Sequence, residues 1–281
     1  MAIVYLDGEY LPLEKATVSV EDRGFLFGDG IYEVVRYYGG RPFQLDAHMA
    51  RLEHSAAGAR LPLPPAVANL AGIIERLLVE NNGQDICFYI QCTRGAARPR
   101  THAFPAQPQP LLLVMPQALP ALPPDARTHG VKALTVPDVR WGRCDIKSIM
   151  LLPNVMAKTQ AREAGAFEAI MVRDGRVTEG SSTNIFAVLD GALRTHPSGT
   201  TILGGITRQL ALRLASDLKL NVRESAFTRE EMYAADEVFL TSTTAEVLPI
   251  TRVDEHTIGR GEPGPVTLRL HEAFCQAVRG F

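Results

Sequence analysis

The chain has 281 residues, which is enough for two domains that each bury a core of their own. Its composition, 46% hydrophobic and 21% charged, is ordinary for a soluble globular protein. A formal net charge of −2 gives no indication of a nucleic-acid or membrane-surface partner, so we expect neither.

The N-terminal residues lack a basic start followed by an apolar core, and no apolar run is long enough to span a bilayer. The four cysteines have no CxxC spacing and lie mostly inside apolar segments, which indicates free thiols and no zinc site. We therefore expect a cytoplasmic protein without a metal.

The first part of the chain is predicted to contain two hairpins, two helices and two buried strands. The hairpins turn at Asp-Gly and Gly-Gly pairs, and the second begins with a strand over residues 31–38. A polar, glycine-rich connection over residues 21–30 separates them. Asp46 is expected to cap the first helix, and Pro64-Pro65 to open the second. The apolar runs ICFYIQCTRG and PLLLVMP predict the buried strands.

Two segments without regular patterns follow. Residues 94–110 are rich in Arg, Pro and Ala and predict a long exposed loop, which in a compact domain is usually functional or disordered. Residues 117–124 have the composition of a stiff linker. The sequence therefore predicts a small N-terminal domain over residues 1–116 and a larger domain over residues 125–281, which would carry Lys147.

The second part of the chain mixes hairpins with helices. A strand (VKALTV) and a helix that ends near Gly165 come before two hairpins with Asp-Gly turns. Thr228 and Glu231 match a capping box, EVFLTSTT predicts a strand that ends in hydroxyls, and Pro265 begins a C-terminal amphipathic helix. This order favours an α+β fold over a doubly wound parallel sheet.

Lys147 lies between an extended segment and the apolar run that begins at Ile149. Such a lysine either reaches out to water or is held for chemistry. In the second case burial would lower its pKa and make the neutral amine a nucleophile toward carbonyls. Taken alone, the solvated alternative is the commoner one.

Three turns could hold an anion: residues 179–184 (EGSSTN) after a strand, residues 204–207 (GGIT) before a helix, and residues 241–244 (TSTT) at a strand end. Free amides at a helix N-terminus with nearby hydroxyls suit a phosphate dianion, although each turn alone could be ordinary. No Walker loop is present, so the sequence does not support nucleotide triphosphate binding. Glu179 either closes a turn or faces a heteroaromatic nitrogen.

Arginines and histidines form two further groups. Arg100 and His102 lie in the exposed loop with Arg98 close by, and arginine binds carboxylates in a bidentate fork. His48 and Arg51 are three residues apart and share one face of the first predicted helix. A solvated surface is the alternative for both groups.

In chain order these motifs resemble the class IV fold of pyridoxal-phosphate enzymes. That group includes D-amino-acid aminotransferases, branched-chain aminotransferases and aminodeoxychorismate lyases. The segments EDRG-x-x-FGDG-x-YEVV, RWGRCDIKS and THP before GGITR are most similar to the D-amino-acid branch. The resemblance covers nearly the whole chain and implies a two-domain α+β fold, with a small α/β N-terminal domain and a larger C-terminal pseudo-barrel domain.

The resemblance implies a role for each residue that matches a motif. Lys147 resembles the lysine that forms the internal aldimine with pyridoxal 5'-phosphate and then shuttles the proton, and Glu179 the acid that pairs with the pyridine nitrogen. Residues expected to bind the cofactor, mainly at its phosphate, are Arg51, Ser182, Ile206, Thr207, Ser242 and Thr243.

On the substrate side, Tyr32 resembles the tyrosine of the family. Arg100 and His102 resemble the pair that grips the substrate α-carboxylate from the neighbouring subunit of a homodimer. The loop is about one residue longer than the family pattern, so Arg98 is a rival for the arginine role.

The implied reaction is a ping-pong transamination between a D-amino acid, such as D-alanine or D-glutamate, and a 2-oxo acid such as 2-oxoglutarate. The alternatives with the same fold are a branched-chain L-amino-acid aminotransferase, an R-selective amine transaminase and an aminodeoxychorismate lyase. Arg100 and His102 argue against these, because each recognises its substrate with a different loop. A protein that only binds an anionic ligand would not need the lysine, the acid and both phosphate turns.

Overall fold

A computed structural model describes residues 2–280 of the chain and divides them into two compact units. One unit contains the chain up to Pro120 together with Ile146–Met150, and the other contains Ala121–Asp145 and the chain from Leu151 onward. The mixture of helices and strands confirms the predicted α+β class.

The first unit is an antiparallel sheet with helices packed against it. Its strands are β1 (Ile3–Leu6), β2 (Glu9–Pro12), β3 (Gly30–Tyr38), β4 (Arg41–Pro42), β5 (Ile86–Thr93) and β6 (Leu111–Gln117), in the order β2-β1-β6-β5-β3-β4. Its helices are α1 (Arg23–Phe27), α2 (Leu45–Gly58) and α3 (Leu70–Asn81).

Strand β3 has the alternating burial of a strand with one face on a core. Ile31, Val35 and Tyr37 on its inner face belong to the hydrophobic core of this unit. Glu33 occupies the same inner face and is 1% exposed. Burying a carboxylate at a core position costs free energy unless the carboxylate is paired. Glu33 of β3 therefore needs positively charged or hydrogen-bonding partners from other elements.

Three details of the first unit differ from the sequence prediction. The expected connection over residues 21–30 contains the short helix α1, which Asp22 caps by accepting a hydrogen bond from the Gly24 amide (2.7 Å). Asp46 does not cap α2; the N-cap is Gln44, and Asp46 lies in the first turn. The segment after Pro64 begins as a 3-10 helix before it continues as α3.

Within the described residues, the second unit contains a nine-stranded mixed sheet and four α-helices. Its strands are β7 (Val131–Pro137), β8 (Glu168–Arg173), β9 (Arg176–Gly180), β10 (Asn184–Leu189), β11 (Ala192–Thr195), β12 (Val222–Glu224), β13 (Glu237–Ser242), β14 (Glu246–Val253) and β15 (His256–Thr257). Its helices are α4 (Leu152–Glu163), α5 (Ile206–Asp217), α6 (Arg229–Tyr233) and α7 (Pro265–Arg279).

The sheet of the second unit curls back toward itself. Its strand order is β12-β11-β10-β13-β14-β7-β8-β9, with β15 paired to β14. Strands β9 and β10 stand far apart in this order, yet they contact each other through the turn that joins them. This curvature brings the ends of β9, β10 and β13 together, and those ends carry the predicted hydroxyl turns. The predicted capping box at Thr228 and Glu231 is confirmed.

Lys147 lies in the segment Ile146–Met150, which belongs to the first unit. The backbone of residues 146–150 is hydrogen-bonded to β3, which explains why contacts assign it to the first unit. The predicted domain limits themselves stay a prediction. Among the helices of residues 2–280, none is long and apolar enough to cross a membrane.

Candidate active site

Lys147 is held at its backbone by two elements of the first unit. The Tyr32 amide of β3 donates to the Lys147 carbonyl (3.0 Å), and the Lys147 amide donates to the Ser55 hydroxyl of α2 (3.0 Å). Its Nζ lies 4.2 Å from the centroid of the Tyr32 ring, a cation–π distance. The side chain is only half-buried, so its amine stays accessible. The two hydrogen bonds meanwhile fix the backbone.

Tyr32 extends this arrangement along the sheet. Its ring stacks on Tyr89 of β5 with centroids 5.4 Å apart, and the Tyr89 hydroxyl donates to Gln91 Oε1 (2.7 Å). Aromatic stacking limits the rotation of the Tyr32 ring. The structure therefore brings the predicted lysine and the predicted substrate-side tyrosine together.

Glu33 forms a closed buried network with α2. Arg51 donates to both Glu33 oxygens, from Nε at 2.7 Å and from Nη2 at 2.9 Å, and His48 Nδ1 lies 2.7 Å from Oε2. Burial alone would raise the pKa of Glu33, but Arg51 and His48 lower it to about 2. Burial lowers the pKa of His48, which favours a neutral imidazole that donates from Nδ1. One edge of the Arg51 guanidinium, formed by Nε and Nη2, is thus fixed by Glu33.

Glu179 is the buried acid of the second unit. Arg140 Nη1 donates to Glu179 Oε1, while Arg140 Nε and Nη2 donate to the two oxygens of Asp138 at 2.9 and 2.8 Å. Burial raises the pKa of Glu179 to about 7, against the opposing charge of Arg140. For Asp138 the hydrogen bonds and charge of Arg140 overcome burial and lower the pKa to about 2. Arg140 thus neutralises Asp138 more fully than Glu179.

Asn184 joins Glu179 to the GGIT turn. Its side-chain amide donates to Glu179 Oε2 (3.0 Å) and to the Leu203 carbonyl (2.9 Å), and the Leu203 amide donates to the same Glu179 oxygen (3.0 Å). A Cβ on Gly205 would lie 2.0 Å from Asn184 Oδ1, so a side chain at this position would displace the asparagine. The acid and the turn are therefore parts of one rigid arrangement.

The predicted phosphate residues of the GGIT turn begin helix α5. Gly205 is its N-cap and makes no side-chain cap, and Ile206 and Thr207 are the buried first two residues of the helix. The first amides of a helix have no intrahelical partner and carry the positive end of its dipole. An anion is the natural ligand for such an end.

The predicted hydroxyl residues have different surroundings. Ser182 is exposed, and its hydroxyl donates weakly to Glu168 Oε2 (3.4 Å). Ser242 accepts a hydrogen bond from the Ala245 amide (3.0 Å), and Thr243 lies half-buried in the same turn. The buried Thr183 and Thr241 hydroxyls have no hydrogen-bond partner within residues 2–280. Two orphaned hydroxyls at the ends of neighbouring strands indicate that this region can bind a polar ligand.

Arg100 and His102 lie side by side on the surface of the first unit. The Arg100 guanidinium lies 4.6 Å from the centroid of the Phe27 ring, and the His102 ring meets Phe27 edge-on at 5.5 Å. Both side chains are exposed in this single chain. The rival Arg98 is also exposed and pairs with Glu21 at 2.5 Å. Arg98 is therefore already bound to a carboxylate, whereas Arg100 rests on an aromatic ring.

Sequence reasoning missed three residues that organise these groups. Arg140 and Asn184 lie within motifs that were recognised, but no local pattern shows that both reach Glu179. Glu33 could have been found, because a glutamate in the inward series of β3 contradicts the apolar alternation of that strand.

Comparison with known proteins places this geometry in a family. The family model described as amino-transferase class IV matches residues 30–253. The chain is 45% identical over 276 residues to the D-alanine aminotransferase of Bacillus licheniformis, covering 98% of this chain and 96% of that protein. It is 43% identical over 275 residues to the D-alanine aminotransferase of Staphylococcus haemolyticus, with coverage of 98% and 97%.

Two solved structures give the same result for the fold. The branched-chain aminotransferase of Thermoproteus uzoniensis with norvaline is 32% identical, with a TM-score of 0.85 and coverage of 99% and 95% of the two chains. The branched-chain amino-acid aminotransferase of Escherichia coli is 28% identical, with a TM-score of 0.87 and coverage of 98% and 93%. The chain belongs to the class IV aminotransferase family.

Proposed function

We propose that this protein is a pyridoxal-phosphate-dependent D-amino-acid aminotransferase that transfers the amino group of a D-amino acid, such as D-alanine or D-glutamate, to a 2-oxo acid such as 2-oxoglutarate. The observation that carries the proposal is the exposed Arg100 and His102 pair in a chain 45% identical to a D-alanine aminotransferase over 98% of its length. The solved branched-chain enzymes share less identity, 32% and 28%. Branched-chain L-amino-acid transamination is therefore the second candidate.

The residues present fit a phosphorylated pyridine. Glu179 is buried with a pKa raised to about 7, so a cation at its carboxylate would stabilise the charged form. Helix α5 begins without a side-chain cap, and the hydroxyls of Thr183 and Thr241 are buried without a partner in the described chain. These are the groups that a pyridine nitrogen and a phosphate require.

We assign the cofactor contacts as the resemblance implies. Glu179 would bind the pyridine nitrogen and keep it protonated. Helix α5 with Ile206 and Thr207, the turns with Ser182, Ser242 and Thr243, and Arg51 would hold the phosphate. When bound, pyridoxal phosphate supplies an electron sink for a carbanion at the substrate Cα.

Lys147 would hold the cofactor aldehyde and act as the general base. Its amine, positioned over the Tyr32 ring, would take the proton from the substrate Cα. Segment 146–150 fixes the backbone of Lys147 against β3, so proton transfer would need side-chain motion only.

Arg100 would bind the substrate carboxylate with its planar fork, and His102 and Tyr32 would complete the grip. We propose that the pair acts in the site of a second copy of this chain. Helix α4 supports a homodimer, because Leu152, Val155 and Met156 at helical spacing are 70%, 56% and 63% exposed. A monomer by light scattering at assay concentration would contradict this part.

The cofactor assignment is tested by borohydride reduction of the purified protein. We expect a visible absorbance band that reduction removes, and a phosphopyridoxyl label that peptide mapping places on Lys147. Lys132→Ala is the matched control, since Lys132 lies in β7 near Glu255 and should keep the label. A label on another residue, or none, would contradict the assignment.

The stereochemistry is tested by assaying D-alanine and L-alanine separately with 2-oxoglutarate. We expect the D-isomer to turn over faster, and faster turnover of L-leucine or L-alanine would favour the second candidate. Arg100→Ala should lower kcat/KM for D-alanine about a hundredfold, a loss of about 2.7 kcal/mol typical of a charged hydrogen bond to substrate. An equal loss in Arg98→Ala with none in Arg100→Ala would transfer the role to Arg98.

A further inference from the structure

Helix α1 contacts the loop that contains Arg100 and His102 through two of its side chains. Its residues Arg23 and Phe27 are four apart and share one face. Arg23 is 4% exposed, and its three nitrogens all have partners: Nε donates to Asp29 Oδ2 (2.7 Å), Nη1 to the Thr101 carbonyl (2.7 Å) and Nη2 to the His102 carbonyl (3.2 Å). One buried guanidinium therefore holds two consecutive carbonyls of the loop.

Phe27 supports the side chains of the same segment. The Arg100 guanidinium lies 4.6 Å from the centroid of the Phe27 ring, and the His102 ring makes a T-shaped contact with it at 5.5 Å. The backbone between these two side chains is the part that Arg23 binds. Arg23 thus fixes the main chain and Phe27 the resting positions of the functional groups.

The rest of the loop is anchored to the same cluster. Asp29 also accepts from Arg94 at 2.8 and 3.0 Å, and the Arg94 guanidinium stacks 3.7 Å from the Phe104 ring centroid. Burial would raise the pKa of Asp29, but Arg94 and Arg23 lower it, so the carboxylate stays charged between them. The half-buried Asp29 carboxylate thus binds both arginines, and its contact with Arg23 holds that guanidinium against the loop.

We propose that Arg23 is a positioning residue for recognition of the substrate carboxylate. By binding the Thr101 and His102 carbonyls it sets the spacing at which Arg100 and His102 can grip a carboxylate. Arginine is required because its planar donors point in fixed directions to three acceptors, which a lysine ammonium on a flexible stem cannot match. The inference rests on the proposed function for its kinetic consequence, but the tethering of the loop can be tested without any reaction.

The tether is tested by limited trypsin digestion followed by mass spectrometry. Trypsin can cut after Arg100 but not efficiently after Arg98, because Pro99 follows. Cleavage of a native loop tracks the population that opens. In Arg23→Lys, which keeps a charge beside Asp29, we expect the Arg100–Thr101 bond to be cut about tenfold faster, as expected for loss of one charged hydrogen bond of about 1.4 kcal/mol. The exposed Arg143 serves as an internal reference and should be cut at an unchanged rate.

The kinetic consequence separates positioning from a general structural role. For Arg23→Lys and Arg23→Gln we expect KM for D-alanine to rise about tenfold, kcat to change less than about threefold, and cofactor affinity in a fluorescence titration to stay within about twofold. Arg76→Gln is the matched control, since Arg76 stacks on Tyr10 at 3.8 Å in the same unit.

Two results would overturn the inference. The first is that the rate of cleavage after Arg100 and the KM for D-alanine both stay at wild-type values in the two variants. The other is a loss of cofactor affinity together with faster cleavage at Arg143, which would show general destabilisation. If the wild-type protein does not turn over D-amino acids but the Arg23 variants are still cut faster at Arg100, the proposed function fails while the tether stands.

Discussion

Each unit of the molecule buries a glutamate against an arginine, and the two glutamates titrate in opposite directions. Glu33 in the first unit has its pKa lowered to about 2, and Glu179 in the second has its pKa raised to about 7. Both are fully buried, so burial alone cannot explain the difference. The difference between the two pKa values follows instead from the number of carboxylates that share each arginine.

In the first unit, Arg51 binds both oxygens of one carboxylate, and His48 adds a further hydrogen bond. In the second unit, Arg140 is divided between Asp138 and Glu179. Asp138 also pairs with Arg173 at 3.0 Å and lies close enough for its negative charge to raise the pKa of Glu179. Glu33 therefore has an arginine that binds both of its oxygens, whereas Glu179 shares its arginine with Asp138 and contacts it through one nitrogen only.

The comparison separates a structural carboxylate from one that is prepared for a ligand. A network whose charges already balance gains little from a further cation. A buried carboxylate held near neutral pKa gains strongly from one, because a cation stabilises its charged form. A protonated pyridine nitrogen would be such a cation at Glu179, which is why the proposed function assigns the cofactor ring to that side chain.

The largest effect is expected from Glu33→Gln, which leaves Arg51 without its carboxylate. Removing one partner of a buried ion pair costs about 3–5 kcal/mol of the free energy of unfolding. Denaturant unfolding of the cofactor-free protein measures this. Glu80→Gln is the matched control, because its pair with Arg76 is exposed and should change the free energy by less than about 0.5 kcal/mol. Equal losses in the two variants would contradict the contrast between buried and exposed pairs.

The second effect is a pH dependence of opposite sign in the two units. The folded pKa of Glu33, about 2, lies below its ordinary value of 4.5, so its stabilisation is complete above pH 4.5 and is lost as the pH falls toward 2. At 1.36 kcal/mol for each pH unit, this stabilisation amounts to about 3 kcal/mol. The difference in unfolding free energy between wild type and Glu33→Gln should shrink by that amount between pH 5 and pH 2.

Glu179 should behave in the reverse way in the cofactor-free protein. Its folded pKa of about 7 lies above the ordinary 4.5, so its favourable contribution is complete below pH 4.5 and is lost as the pH rises through 7. Glu179→Gln should therefore become more stable relative to wild type as the pH rises from 5 to 8. Parallel pH profiles for the two glutamine variants would remove the basis of the comparison.

The third effect is on turnover. Glu179→Gln keeps the size of the side chain but removes the negative charge that is proposed to keep the pyridine nitrogen protonated. We expect kcat to fall about a hundredfold, which corresponds to about 2.7 kcal/mol in the activation barrier. The borohydride label on Lys147 should persist, because the lysine is unchanged. A kcat within about threefold of wild type would show that Glu179 does not tune the cofactor.

The fold could be predicted from the sequence wherever a local pattern decides the structure. The Gly-Gly hairpin that begins with β3 and the capping box of α6 are such patterns, and both are confirmed. Strand β14 was missed, because Pro249 interrupts its apolar pattern although the strand lies inside the sheet. Helix α1 was missed because its five residues, with a glycine among them, carry no periodic signal.

The candidate site could be predicted only as separate motifs. Lys147 and Glu179 stand out by residue type and by their neighbours, although their roles stay predictions. The partners that set their properties are distant in sequence: Arg140 reaches Glu179 across 39 positions, and Arg23 reaches Thr101 across 78. Such pairings are decided by tertiary packing, which no window of sequence contains.

The smallest effect is expected from Asn184→Ala, which tests whether Glu179 and the GGIT turn form one arrangement. Asn184→Ala removes the donor shared by Glu179 and the Leu203 carbonyl and leaves a gap beside Gly205. We expect affinity for pyridoxal phosphate to fall about tenfold, or about 1.4 kcal/mol, as for the loss of one hydrogen bond to a charged group. Affinity for pyridoxal, which lacks the phosphate, should fall less, because the loosened turn is the proposed phosphate site. Asn221→Ala, at an exposed asparagine of the same unit, is the control. Equal losses for the two ligands would show that Asn184 acts on Glu179 alone, and the turn would then have to be treated as independent of the acid.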